Sequence, residues 1–272
     1  MYTQHKDPPF EKPSFYIKLD ALFLIFSVLY LIGAPHHLNN FFQYFKPIPI
    51  WLTIIQLWSL RKVNASIYVI FWGPSLGSLG IVLLIFGIFY GGALAFLIDH
   101  LLVGYAFVKL AREIAPDRST SYGMLCREPL FIALLIILTA FSIWSATFII
   151  IYHKKGGGTP ITLFYDIVLV LQVLAGFYFY FKTASISSEL NKAGLFFMIG
   201  SLVYFASYNF LAQGQYNRIY PINPFWNSFL IMISYYVAQW LIVKGAFMTS
   251  VWLVEGKEGE SPIPNNDEIE SR

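Results

Sequence analysis

The chain has 272 residues, of which 57% are hydrophobic and 12% charged, with a net charge of +3. A water-soluble domain carries roughly 25% charge, and none buries so many aliphatic and aromatic side chains; they must face lipid or one another in a bilayer. The charge pattern also excludes a nucleic-acid binder, because no basic stripe runs along a polar face.

The apolar blocks cover nearly the whole chain, so a single membrane domain is expected over residues 19–254. A polar N-terminal tail, 1–18, precedes it, without a signal-peptide pattern. The first apolar block is expected to serve as an uncleaved signal anchor. The tail 255–272 is acidic with two prolines and is expected to be disordered. The one cysteine, Cys126, lies in a charged loop and excludes an internal disulfide framework.

A helix needs about 20 apolar residues to cross the hydrocarbon core. The blocks predict an all-α polytopic bundle with spans near 19–35, 43–60, 65–86, 88–108, 130–152, 161–181, 193–212 and 225–243. The second opens on Lys46, Pro47 and Pro49, and a re-entrant second segment would leave seven spans. Gly87, Gly91 and Gly92 predict a very tight turn between the third and fourth. With eight spans, 13 Lys and Arg residues fall on the side of the N-terminus and four on the other, leaving aside Lys244 at the end of the last span. The positive-inside rule then places both termini in the cytosol. The sequon Asn64-Ala65-Ser66 would face the cytosol and stay unglycosylated.

Ionisable groups at membrane depth are costly and mark candidate sites. Asp99 and His100 lie in the fourth span, Asp166 near the start of the sixth, and Lys46 at the start of the second. Each also has a plain structural reading. Asp99 and His100 point about 100° apart on a helix, and His100 could simply bond a neighbouring helix. Asp166 is close enough to the interface to reach water, and Lys46 could snorkel to the headgroups. Gln172, Ser201, Asn209, Ser234, Tyr235, Tyr236 and Gln239 form a softer polar set, of which Asn209 and Gln239 suit interhelical hydrogen bonds. No G-x-S-x-G, H-E-x-x-H or Walker loop occurs. Gly156-Gly157-Gly158 reads as a flexible turn. His36-His37 lack cysteine or acidic companions, so neither a metal nor a cofactor is expected.

Several of these residues stand in a recognisable order. The stretches are Lys46-Pro47-Ile48-Pro49, Ser78 to Leu84, Phe96 to His100, Gly194 to Ala206, and Ser234 to Gln239. They are similar to the motifs K-P-L-P, L-G-D-V-L-L, F-x-x-x-H, G-x-L-L-F-x-x-S-D-x-x-L-A and T-Y-Y-x-A-Q. The chain resembles the lysoplasmalogenase (YhhN-like) family of eight-span membrane proteins over residues 46–242. The resemblance implies hydrolysis of the vinyl-ether bond of lysoplasmalogens, giving a fatty aldehyde and a glycerophospho-base. It implies a single-chain ether phospholipid or lysophospholipid as partner. The basic loops on the cytosolic side suit an endomembrane such as the endoplasmic reticulum.

A vinyl ether hydrolyses by proton addition to its β-carbon and capture of the oxocarbenium ion by water. One carboxyl group must donate, and a second, anionic group stabilises the cation and activates water. In this register the family's two aspartates fall on Ile81 and Leu202, the latter beside Ser201. Asp99 as proton donor and Asp166 as base would be the substitutes. Lys46, His100, Ser201, Tyr235, Tyr236 and Gln239 would contact the lipid. The alternative within the family is a relative that binds lipid without cutting it. A small-molecule transporter is the reading from another class; against it, the halves show no repeat, and only the third span, with Gly73-Pro74, looks interrupted.

Overall fold

A computed structural model describes residues 13–33, 44–116, 129–152, 159–216 and 224–259. These form eight α-helices and no strand among the described residues. They are α1 Pro13–Gly33, α2 Ile48–Leu60, α3 Ala65–Ile85, α4 Phe89–Ile114, α5 Pro129–Tyr152, α6 Thr159–Thr183, α7 Ser188–Tyr216 and α8 Pro224–Gly259. Six are long and apolar enough to cross a membrane: α1, α3, α4 and long stretches of α6, α7 and α8. The protein is a polytopic helical membrane bundle. Large apolar side chains such as Ile17, Leu24, Ile136 and Ile167 stand exposed on its outside, where lipid would meet them.

Local chemistry sets the helix ends. Pro47 and Pro49 fit only the first turn of a helix, so α2 begins at Ile48, and the Pro47 carbonyl accepts from Ile50 and Trp51. Its 13 residues span about 20 Å, too short to cross a core of about 30 Å alone. Asn64 caps α3 by accepting from the Ser66 amide at 2.6 Å and donates to Glu113 of α4 at 3.1 Å. Gly87, at φ +77°, makes the turn into α4, a conformation that side chains disfavour. The helix α3 runs unbroken through Gly73-Pro74. The interruption expected there is absent; the Ser75 hydroxyl donates to the Phe71 carbonyl at 2.8 Å, within the turn that Pro74 crowds. Helix α1 starts before residue 19 because Tyr16 is already buried, bonded to Ser59 of α2 and against the Phe247 ring of α8.

Six helices close a ring in which each packs on the next: α8, α2, α3, α4, α6, α7 and back to α8. Helix α1 lies outside against α2 and α8, and α5 outside against α6 and α7. Small residues let backbones meet. A Cβ at Gly80 would stand 3.0 Å from the Gly92 carbonyl, and one at Gly176 3.0 Å from the Phe197 carbonyl. Asp20 of α1 receives Lys244 of α8 and Gln56 of α2, tying the outer helix to the ring. Cys126, His36, His37 and Gly156 to Gly158 lie outside the described residues.

Candidate functional site

The ring leaves a cleft at one end. It encloses about 530 Å³, counted with its open mouth. Its polar lining is Lys46 ahead of α2, His100 of α4, Tyr165 of α6, Tyr204, Ser207 and Tyr208 of α7, and Tyr235 of α8. Its apolar lining is Ile81, Leu84, Phe96, Leu211, Ile231 and Met232. A second chamber of about 430 Å³ shares Leu84, Phe96, Tyr165, Tyr208 and Leu211 and adds Phe89 and Ala93. Together they offer one lysine, several hydroxyls and a majority of apolar and aromatic surface.

His100 is held from both sides. Its Nδ1 lies 2.7 Å from Gln172 Oε1 and its Nε2 2.7 Å from the Tyr165 hydroxyl. With the Gln172 carbonyl accepting, Nδ1 carries a proton, and a neutral ring would accept from Tyr165 at Nε2. Tyr165 and Tyr204 contact the ring edge-on at 5.3 and 4.9 Å, and Tyr165 stacks on Tyr208 at 4.5 Å. Such geometry suits aromatic quadrupoles. This cluster joins α4, α6 and α7, and both ring nitrogens are spent within the protein.

Asp99 points to α3 where His100 points to α6, as a separation of about 100° on the helix allows. It is wholly buried between α3 and α8, and neither carboxyl oxygen has a hydrogen-bond partner among the described residues. Gly73 and Gly77 of α3 provide its room: a Cβ at either would come within 3.0 Å of an Asp99 oxygen. The same Cβ at Gly77 would lie 3.0 Å from the Tyr235 hydroxyl, so carboxyl and phenol flank one small space. Tyr235 lines the cleft while Asp99 sits behind it.

The other sequence candidates lie elsewhere. Tyr236 donates to the Lys46 carbonyl at 2.8 Å and packs against Phe23 and Tyr30, fixing the segment that carries Lys46. Gln239 reaches the Tyr235 hydroxyl at 3.3 Å, one turn behind the cleft. Ser201 donates to the Phe197 carbonyl of its own helix, as Asn209 does to Phe205. Asp166 is buried and turned toward Ser142 of α5, off the cleft wall. The cleft thus gathers Lys46, His100 and Tyr235, keeps Asp99 and Gln239 behind them, and leaves Asp166, Ser201 and Tyr236 outside. Tyr165, Tyr204, Ser207 and Tyr208 complete it without having been singled out from sequence. For Tyr204 and Tyr208 the signal was their spacing with Leu211 on one face of α7.

The sequence model of the YhhN family matches residues 41–246, a stretch that contains every residue lining the cleft. The chain belongs to the YhhN family. It matches no curated protein and no solved structure. Helix α1 precedes the matched region and α8 runs beyond it.

Proposed function

We propose that this YhhN-family protein is a lysoplasmalogenase-like membrane protein whose cleft takes one single-chain ether lysophospholipid. The observation that carries the reading is the cleft itself, with Lys46 for a phosphate and an apolar extension past Leu84, Phe89 and Ala93 for one chain. Ligand pockets commonly pair hydrophobic walls with a few placed polar groups.

The chemistry assigned to the cleft is vinyl-ether hydrolysis. A proton adds to the β-carbon, water adds to the oxocarbenium carbon, and the hemiacetal collapses to aldehyde and glycerophospho-alcohol. Asp99 is the proton donor in this reading, supported by its place behind Tyr235, where carboxyl and phenol both approach Gly77. Asp166, turned toward α5, is the weaker candidate for base.

A second reading is a relative that binds lipid without cutting it, and one observation favours it. Among the described residues no carboxylate lines the cleft. Ile81, at the family's first aspartate position, is on its wall. Setting the family's serine–aspartate stretch to start at Gly200 instead of Gly194 aligns Gly200, Leu202, Ser207, Leu211 and Ala212 with it. That register puts Tyr208, another cleft residue, at the second aspartate position and supersedes Leu202 on the count of matched residues.

The test is aldehyde release from lysoplasmalogen by purified protein, beside Asp99→Asn, with lipid binding measured on the same samples. Turnover lost in Asp99→Asn supports the hydrolase. Binding without turnover supports the second reading. Folded protein that neither binds nor cleaves overturns both.

A further inference from the structure

We infer that the cleft draws its lipid from the membrane leaflet opposite the chain termini, the non-cytosolic leaflet. This rests on the cleft being a lysophospholipid site and adds where the lipid comes from.

Contacts between neighbouring helices fix the direction of every ring helix. Helices α1 and α2 run antiparallel, with Tyr16 on Ser59 and Asp20 on Gln56. So do α2 and α3, through Trp51 on Ser78, and α3 and α4, through Ser66 on Glu113 at one end and Gly80 beside Gly92 at the other. Helix α6 runs parallel to α4, with His100 meeting Tyr165 and Gln172 while Gly104 meets Gln172 and Ala175. Helix α7 returns against α6, through Tyr165 on Tyr208 and Gly194 on Tyr180. Helix α8 reverses again, with Ser207 on Ile231 and Gly245 on Phe197.

With those directions, the cleft belongs to one half of the bundle. Ile81 and Tyr208 lie late in helices that run toward that end. His100, Tyr165 and Tyr235 lie early in helices that leave it, and Lys46 stands just before α2 does. The start of α1 and the end of α8 are at the other end, where Asp20 meets Lys244.

Charge divides along the same line. The far end carries Lys18, Arg61, Lys62, Lys109, Arg112, Lys182 and Lys192 on or beside its helix ends. Among the described residues, Lys46 is the one Lys or Arg at the cleft end. Lys and Arg concentrate on the cytosolic side of membrane proteins, which puts the cleft at the opposite surface. A lysophospholipid must carry its charged headgroup through hydrocarbon to change leaflets, a costly step, so the side of the mouth selects the pool.

Two measurements test this. A photoreactive lysophosphatidylcholine is added outside sealed vesicles holding the full chain in both orientations, and labelled copies are sorted by whether an external protease removes the C-terminal tail. Labelling should fall on copies with protected tails and be lost from those with accessible ones. Labelling of accessible-tail copies, or equal labelling of both, overturns the inference. Detergent-solubilised protein is labelled in parallel; its failure to label sinks the lysophospholipid reading itself. In cells, a tag on the C-terminal tail should be reached by antibody when the plasma membrane alone is permeabilised. A tag reached only after internal membranes are opened places the cleft on the cytosolic leaflet and overturns the inference.

Discussion

Replacing His100 by leucine should loosen the joint between α4 and α6. The imidazole makes two hydrogen bonds of 2.7 Å, to Gln172 and Tyr165, and two edge-on ring contacts, with Tyr165 and Tyr204. Interhelical hydrogen bonds in membranes average about 0.6 kcal/mol and reach about 1.7, so two bonds contribute about 1–3 kcal/mol. Each edge-on pair adds about 0.5–1.5 kcal/mol. The expected loss is therefore about 2–6 kcal/mol, read by reversible unfolding in mixed micelles. The direct assay is the double-mutant cycle with Gln172→Leu. His100→Leu strands the Gln172 carbonyl in a site where Gln172 Nε2 already has no partner among the described residues, so the second substitution should cost much less after the first. The coupling expected is about 1–2 kcal/mol. Losses that add within about 0.5 kcal/mol would refute the argument and show that the short contacts carry no energy.

Three further outcomes follow from the same geometry. Lys46→Ala should weaken binding of a lysophospholipid about 10–100-fold, a charged hydrogen bond being worth about 1.5–3 kcal/mol, and leave an uncharged monoacylglycerol unaffected; equal losses in a titration of both would refute a phosphate contact. Ile81→Asp with Tyr208→Asp sets two carboxyl groups on the cleft wall and should raise aldehyde release from lysoplasmalogen above that of the parent chain; an unchanged rate in folded protein would refute the assignment of those two positions. Asp20→Ala breaks a partly buried ion pair and the bond from Gln56, and should cost about 1 kcal/mol and speed proteolysis within α1; unaltered protease sensitivity would show that α1 is held by its aromatic contacts alone.

Much of the architecture was legible because the bilayer imposes it. Each apolar block became one helix, and Gly87 became the turn between α3 and α4. The ends were less legible. Composition marks where hydrocarbon stops, whereas helices α4 and α8 continue past it with Lys109, Arg112 and Lys257. Proline was read too simply: Pro49 marks a helix start, but Pro74 sits inside an unbroken one. Of the site, Lys46, His100 and Asp99 stood out because charge is rare in these blocks. Tyr165, Tyr204 and Tyr208 did not, since the chain has 18 tyrosines and many serve at membrane interfaces. Only ring closure, which brings α4, α6 and α7 around one imidazole, sets these three apart.

The most direct test of a lysophospholipid cleft is the stoichiometry of lysophosphatidylcholine on the purified protein, by native mass spectrometry, with two tryptophan variants one residue apart. Ala93 lines the apolar chamber, while Leu94 faces outward, 57% exposed. One lipid should bind the parent chain and Leu94→Trp, and none should be retained by Ala93→Trp. Equal retention by all three would place the lipid on the outer surface and contradict the account.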